Sequence, residues 1–342
     1  MGAGLTVAVA LLCAVGAFAS TPATAPLMTY ITGLATPSPR VWIALAADGG
    51  SPTNLGPASS ALISPDGGWV AAISIQKQSN ASTLSLYRTP SGSATTLIAK
   101  RPQFMQLLGW SPNSKLLLVT VGTSPAQLML VDTTTRQHHV VATGAIYGAG
   151  FAPGSSDAIV YARSRLGKTA VNIYITNTAG NSTSQLTSDG RSEYPLWCPS
   201  GIIYSRETPR PKNPYPELQL WLMNADGSGS RQLTSLQVSS TLEGLTPVAC
   251  SHNGQHLLAN YVGPPGSNST EPFTVDLSGH DKPHNLTAAG YIGDSISLDG
   301  GTVLITKGTA NDLQSLSIET YPWSGGKPTT LVGKGAYPSW NR

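Results

Sequence analysis

One phrase recurs along the chain at nearly constant spacing: an aromatic or apolar residue, then Ser-Pro-Asp-Gly or a relic of it, then an apolar run. It reads Ile63-Ser64-Pro65-Asp66-Gly67, Trp110-Ser111-Pro112-Asn113, Phe151-Ala152-Pro153-Gly154 and Trp197-Cys198-Pro199-Ser200. Weaker copies follow at Cys250-Ser251-His252-Asn253-Gly254 and Ile296-Ser297-Leu298-Asp299-Gly300, and Trp340 opens a last one. From first residue to first residue the steps are 47, 41, 46, 53, 46 and 44. Repeats of this length are single supersecondary units that cannot bury an apolar face alone, so neighbours must stack.

Each repeat reads as four strands. Strand A ends in the phrase, whose Pro-Asp-Gly or Pro-Asn suits a tight turn. Strand B is the apolar run after it: Trp69 to Ile75, Leu116 to Val121, Ala158 to Ala162, Ile202 to Ser205, Leu257 to Val262, Val303 to Thr306. Strand C alternates, as in Leu84-Ser85-Leu86-Tyr87 and Leu218-Gln219-Leu220-Trp221-Leu222, which is the period-two signature. A glycine turn leads to a short polar strand D, ending in Leu186-Thr187, Leu233-Thr234 or Leu286-Thr287. Pro52, Pro283 and Pro328 open this fourth strand, and proline is confined to strand starts and edges because it cannot donate to a ladder. The fourth strand is therefore an outer edge.

The two ends of the chain complete one unit between them. Leu27–Thr32, Val41–Leu45 and Pro52–Leu55 read as strands B, C and D with no strand A before them, and Tyr337–Asn341 is a strand A with nothing after it. Joined, they predict an all-β, seven-bladed β-propeller of four-stranded antiparallel blades, closed by a split blade. Closure removes the open edge between first and last units.

Ser-Pro-Asp-Gly, together with Leu222-Met223-Asn224-Ala225-Asp226-Gly227 and Gln232-Leu233-Thr234, resembles the WD40-like repeat of TolB-type β-propellers. The resemblance covers nearly all of residues 27–342. It implies an exported, non-enzymatic interaction platform, although such propellers also serve as accessory domains of prolyl-oligopeptidase-like hydrolases and as sensors behind membrane anchors. Repeats five and six have lost the Trp and Pro of the phrase, so irregular blades are expected there.

Leu5 to Ala19 is an uncharged apolar run, of the length of a secretory h-region. Ala17-Phe18-Ala19 places cleavage before Ser20, but no Lys or Arg precedes Arg40, so an uncleaved membrane anchor stands beside a cleaved signal. Either way residues 20–342 form a single propeller that is exported: periplasmic, at the cell surface or extracellular. The net charge of +3 and a charged fraction of 11% give no concentrated basic face of the kind nucleic acid requires.

Function is expected on the face that carries the variable B–C loops, since rigid scaffolds present their sites on such loops. There Arg163, Arg165, Lys168, Arg206, Arg210 and Lys212, with Tyr215 among prolines, read either as a patch for an anionic protein or glycan partner at the cell envelope or as solvated loop charge, with Glu207 and Glu217 partly neutralising it. The stretch Arg206–Glu217 reads as the longest of these loops. His252/His256 and His280/His284 are four apart, but in turns and strands, where that spacing makes no common face; neither a metal nor a cofactor is called for. No Gly-x-Ser-x-Gly, His-Glu-x-x-His or phosphate-binding glycine loop occurs, so no catalytic residue is assigned. Cys198 and Cys250 fall one position apart on the A strands of adjacent repeats; neighbouring strand positions face opposite ways. A disulfide between them would need some irregularity, and two buried thiols are the alternative.

Overall fold

The computed structural model describes residues 26–341 apart from 77–78, 80, 124, 166, 211–212, 237–243, 264–269, 279–281 and 309–311; the expected export segment, residues 1–19, lies outside the described residues. The recurring phrase is a turn with its own hydrogen-bond circuit. Ser64 Oγ donates to Asp66 Oδ1 (2.5 Å) and accepts from Trp69 N–H (3.0 Å), while Asp66 Oδ1 accepts from Gly68 N–H (2.9 Å). Ser111 with Asn113, Ser251 with Asn253 and Ser297 with Asp299 repeat the pattern. The serines Ser64, Ser111 and Ser251 are fully buried, so each hydroxyl satisfies backbone that water cannot reach. The degraded fifth and sixth copies keep the serine and the Asx, which is all the circuit uses.

Among the described residues, 27 strands follow from these turns. The first repeats comprise β1 (Leu27–Thr32), β2 (Arg40–Leu45), β3 (Thr53–Pro57), β4 (Ser60–Ile63), β5 (Trp69–Gln76), β6 (Ala81–Arg88), β7 (Ala94–Arg101), β8 (Met105–Trp110), β9 (Leu116–Val121) and β10 (Ala126–Asp132). Next are β11 (His138–Phe151), β12 (Ala158–Ser164), β13 (Val171–Asn177), β14 (Thr183–Gln185), β15 (Ser192–Cys198), β16 (Gly201–Arg210), β17 (Asn213–Met223) and β18 (Arg231–Gln232). The last are β19 (Gly244–Cys250), β20 (His256–Val262), β21 (Thr270–Asp276), β22 (His284–Asn285), β23 (Tyr291–Ile296), β24 (Thr302–Lys307), β25 (Ser317–Pro322), β26 (Thr329–Val332) and β27 (Ala336–Trp340). No helix among the described residues is long and apolar enough to cross a membrane.

β4 to β7 and β23 to β26 each form a four-stranded antiparallel sheet, and so does β27-β1-β2-β3, which joins the two ends of the chain. In that split sheet Met28 pairs with Trp340 and Thr29 with Ser339. Asn341 locks the corner: its side-chain oxygen accepts from Leu27 N–H (2.7 Å) and its own N–H donates to Leu27 O (3.1 Å). Repeats five and six fold as ordinary antiparallel units, β19 to β22 and β23 to β26, despite their eroded phrases.

Two departures from separate four-stranded units have local causes. β11 runs unbroken for 14 residues, serving as the outer strand of one unit and the inner strand of the next. Gly144 makes the crossing feasible: its φ is +149°, and a Cβ there would lie 2.4 Å from Ser164 O. The second join is a single parallel contact, Leu218 with Gly244, between β17 and β19. The expected long loop Arg206–Glu217 is a hairpin instead. β16 continues to Arg210 and β17 starts at Asn213, pairing Glu207 with Leu218 and Thr208 with Glu217; the register shift falls at Thr208/Arg210, around Pro209, where a bulge tolerates the missing donor.

The core lies between sheets. Ile73 and Leu84 pack on Leu117 and Val119, Leu118 and Leu130 on Ile159 and Tyr161, Val160 and Ile173 on Ile202 and Tyr204. The series continues with Ile203 and Leu220 on Leu257 and Phe273, Leu258 on Val303 and Ile305, Leu304 and Ile318 on Met28 and Tyr30, and Ile31 and Val41 on Ile63 and Val70. Central strands are buried on both faces, which is why strand B reads as a continuous apolar run.

Candidate functional site

The inner strands β4, β8, β11, β15, β19, β23 and β27 all contribute to one central cavity of about 280 Å³. Most carry a register shift near mid-strand: Leu107/Gly109, Ile146/Ala149, Glu193/Leu196, Pro247/Ala249 and Gly293/Ser295. The extra residue is unpaired at each bulge, and Leu108, Val248 and Asp294 line the cavity from such positions. The phrase Tyr-Pro-x-Trp, used at Tyr194–Trp197 and Tyr337–Trp340, takes the same backbone twist both times, φ +51° at Tyr194 and +52° at Tyr337. Non-glycine residues hold that conformation only where the surroundings impose it.

Beside the β15 bulge, on the side where β16 leads into β17, opens a groove of about 460 Å³. Glu193, Tyr194, Glu207, Leu218, Pro247 and Val262 line it. A second depression of about 290 Å³, containing Asp189 and Arg191, shares Glu193 and Glu207 with it. Burial, and then the charge of Glu207, push the Glu193 carboxyl up to about 7; both effects disfavour its ionised form. The Tyr194 ring meets Tyr147 edge-on at 6.3 Å. Two carboxyls against tyrosine and aliphatic surface make a place for a cation with an apolar stem.

Asp294 sits deeper. Its Oδ2 accepts from both the N–H and the hydroxyl of Thr306, each at 2.7 Å, and Thr306 Oγ in turn accepts from Tyr337 N–H (2.8 Å). Burial pushes its carboxyl up to about 8, against the opposing pull of the Thr306 hydrogen bonds. It lines the central cavity beside Ser295.

The residues singled out from sequence end up apart in role. Arg206 is tied to Asp189 (Nε–Oδ2 2.6 Å) and lies 4.4 Å over the Trp221 ring. Arg163 donates to Thr143 O (3.2 Å) and stacks 4.8 Å from the Tyr174 ring. Both guanidinium groups are therefore engaged within the fold. Arg165 and Lys168 are exposed on the turn after β12, where Lys168 N–H donates to Arg165 O. Arg210 and Tyr215 fall on the β16–β17 hairpin, and Lys212 lies outside the described residues. A disulfide joins Cys198 to Cys250, Cα to Cα 6.0 Å; bulges at Glu193/Leu196 and Pro247/Ala249 upstream in both strands supply the irregularity that lets the two side chains meet. Among the described residues no cluster of three or more His, Cys, Asp or Glu side chains is arranged to hold a metal. Glu193 and Asp294 went unnoticed in the sequence; the repeated Tyr-Pro-x-Trp after Glu193 was the available signal.

No family model and no curated protein matches the sequence, but solved structures do. TolB from Acinetobacter baumannii superposes with a TM-score of 0.56 at 16% identity, over 92% of this chain and 66% of that one. The fold is the β-propeller of TolB and its structural neighbours. The β-propeller domain of the trilobed protease from Pyrococcus furiosus, described as having an open velcro topology, matches with a TM-score of 0.63 at 13% identity over 92% of this chain and 95% of that domain. An oligogalacturonate lyase in complex with manganese matches with a TM-score of 0.55 at 14% identity, over 91% of this chain and 85% of that one. This chain thus spans just under two thirds of the TolB chain, and identities this low carry the fold alone.

Proposed function

We propose that the chain is an exported, non-enzymatic propeller of seven four-stranded blades, closed by the split blade, that binds a protein partner at the cell envelope through its variable-loop face. Closure is supported by the cycle of contacts among inner strands, β4 to β8, β8 to β11, and onward through β15, β19 and β23 to β27, which touches β4 again. Export is supported by the Cys198–Cys250 disulfide, a bond that persists in oxidising compartments.

The observation that carries the binding reading is the Glu193–Glu207 groove. The side chains lining it include two carboxyls and no lysine or arginine, and Arg163 and Arg206 are already engaged elsewhere. The partner segment is accordingly a basic one, presenting a lysine or arginine whose stem lies on Leu218 and Val262. Affinity rises as pH rises through about 7, where Glu193 gains its charge.

The test is titration of the full chain with a lysine- and arginine-containing decapeptide, an acidic decapeptide and oligogalacturonate. The basic peptide should bind, and E193Q/E207Q should abolish it with the fold intact. Preference for oligogalacturonate or the acidic peptide would restore the anionic-partner reading, and release of unsaturated uronide would make the protein a lyase.

A further inference from the structure

The central cavity of about 280 Å³ is kept hollow by small residues. Just before the recurring phrase, Gly109, Gly150, Ser295 and Ser339 stand on four of the inner strands, and all four line the cavity. A Cβ at Gly109 or Gly150 would meet nothing within 4 Å, so the chain forgoes side chains that would fill the space and leaves room for a small molecule. There is also a way in. Pro65, Trp110, Phe151 and Trp197 line both the cavity and a mouth of about 380 Å³ among the phrase turns. Charge at that mouth is mixed, with His252 in its lining and Asp66, Asp299 and Lys115 on the turns beside it.

What the cavity selects is set by one carboxyl. From the bulges of β8 and β19 it is lined by Leu108 and Val248, and from the bulge of β23 by Asp294. The fold therefore accepts an apolar residue at such a position. The carboxyl is held firmly: the Asn260 side chain donates to Gly293 O (3.0 Å) and accepts from Gly293 N–H (2.8 Å), and both Thr306 donors fall on Asp294 Oδ2. Oδ1 has no hydrogen-bond partner among the described residues, and Asp294 keeps part of its surface exposed while lining the cavity. Trp110, Trp197 and Trp340 share that lining. Trp110 Nε1 donates to Leu62 O (3.1 Å), whereas Trp340 Nε1 is buried without a partner, a cost that a purely structural joint would avoid. Among the described residues no lysine, arginine or histidine lines the cavity.

We propose that the central cavity binds a small primary ammonium with an apolar body, its N–H donating to Asp294 Oδ1 and its hydrocarbon lying against the tryptophans. An anion would find no cation there, and a metal ion only a single carboxylate. A sugar needs donors and acceptors all round its ring, and Asp294, Ser295 and Ser339 offer too few. The ammonium supplies the opposite charge that an enclosed carboxylate requires, and indole rings attract cations. The stability that Asp294 costs the empty fold is then the counterpart of a binding role. This inference does not depend on what the Glu193–Glu207 groove binds.

The test is calorimetric titration of the full chain at pH 8, where Asp294 is about half ionised, with n-butylammonium, tetramethylammonium, butyrate and glucose. Butylammonium should bind, tetramethylammonium should bind at least tenfold more weakly because it has no N–H to donate, and butyrate and glucose should give no heat of binding. Asp294→Asn should weaken butylammonium at least tenfold without lowering the denaturant midpoint. Gly150→Leu, which fills the cavity and leaves the carboxyl in place, should weaken it as much. E193Q/E207Q should leave the affinity unchanged, which separates this site from the groove. Absence of butylammonium binding, tighter binding of butyrate or glucose, an affinity untouched by either Asp294→Asn or Gly150→Leu, or its loss in E193Q/E207Q would overturn the proposal. Equal binding of tetramethylammonium would overturn the hydrogen bond to Oδ1.

Discussion

Asp294→Asn should make the protein more stable, by an amount that grows with pH. In the fold the Asp294 carboxyl is pushed up to about 8, from 3.8 when free. A raised folded value means the native state holds the proton more tightly than the unfolded chain. The stability linked to it is full below 3.8 and is lost as pH rises through about 8. At pH 7 the unfolded chain has gained roughly three pH units of ionisation that the folded state refuses, about 4 kcal/mol at 1.36 per unit. An effective dielectric of about 20, which applies even at buried sites, reduces this, and about 2 kcal/mol is the working figure. Asparagine keeps an oxygen for both Thr306 donors and carries no charge at any pH. Denaturant titrations of wild type and D294N at half-unit steps between pH 4 and 9 give the difference curve. It should be near zero at pH 4, climb steadily, and level off above about 8. A difference that is flat, or that falls with pH, would refute the burial argument.

E193Q should show the same sign over a narrower window, between 4.5 and about 7, read from the same denaturant series. Reducing Cys198–Cys250, or Cys250→Ser, should cost about 4 kcal/mol by chain entropy for a closed span of this size, given the sequence separation of 52, and lower the unfolding midpoint in the presence of dithiothreitol. Trp340→Ala removes a ring packed against the Met28 and Tyr30 cluster; a loss of about 3–5 kcal/mol is expected, and unchanged stability would mean the split sheet does not close the molecule. Gly144→Ala drives a Cβ to 2.4 Å from Ser164 O, and amide exchange should accelerate in β11 and β12 together.

Strand identity was written in local chemistry. β1 begins and ends where the apolar alternation does, β9 coincides with Leu116–Val121, and prolines stand just before β3, β22 and β26. These features are legible because period, turn residues and proline act within a few positions of themselves. The Ser-x-Asx circuit even explains why eroded repeats still fold. The hairpin of β16 and β17 was misread because its prolines outweighed, in a linear reading, the cross-strand pairs that hold Glu207 to Leu218 and Thr208 to Glu217.

By itself, then, the sequence determined the unit, its repetition and the pairing of tail with head, since each rests on contacts between residues of like pattern. The site was decided only in three dimensions. Glu193 and Glu207 share a groove because a bulge shifts β15 against β16. Arg163 and Arg206 are spent on rings and an aspartate that no spacing rule connects to them. Asp294 is an ordinary aspartate in the sequence, and only its burial in the fold, against Thr306, raises the energy of its charge.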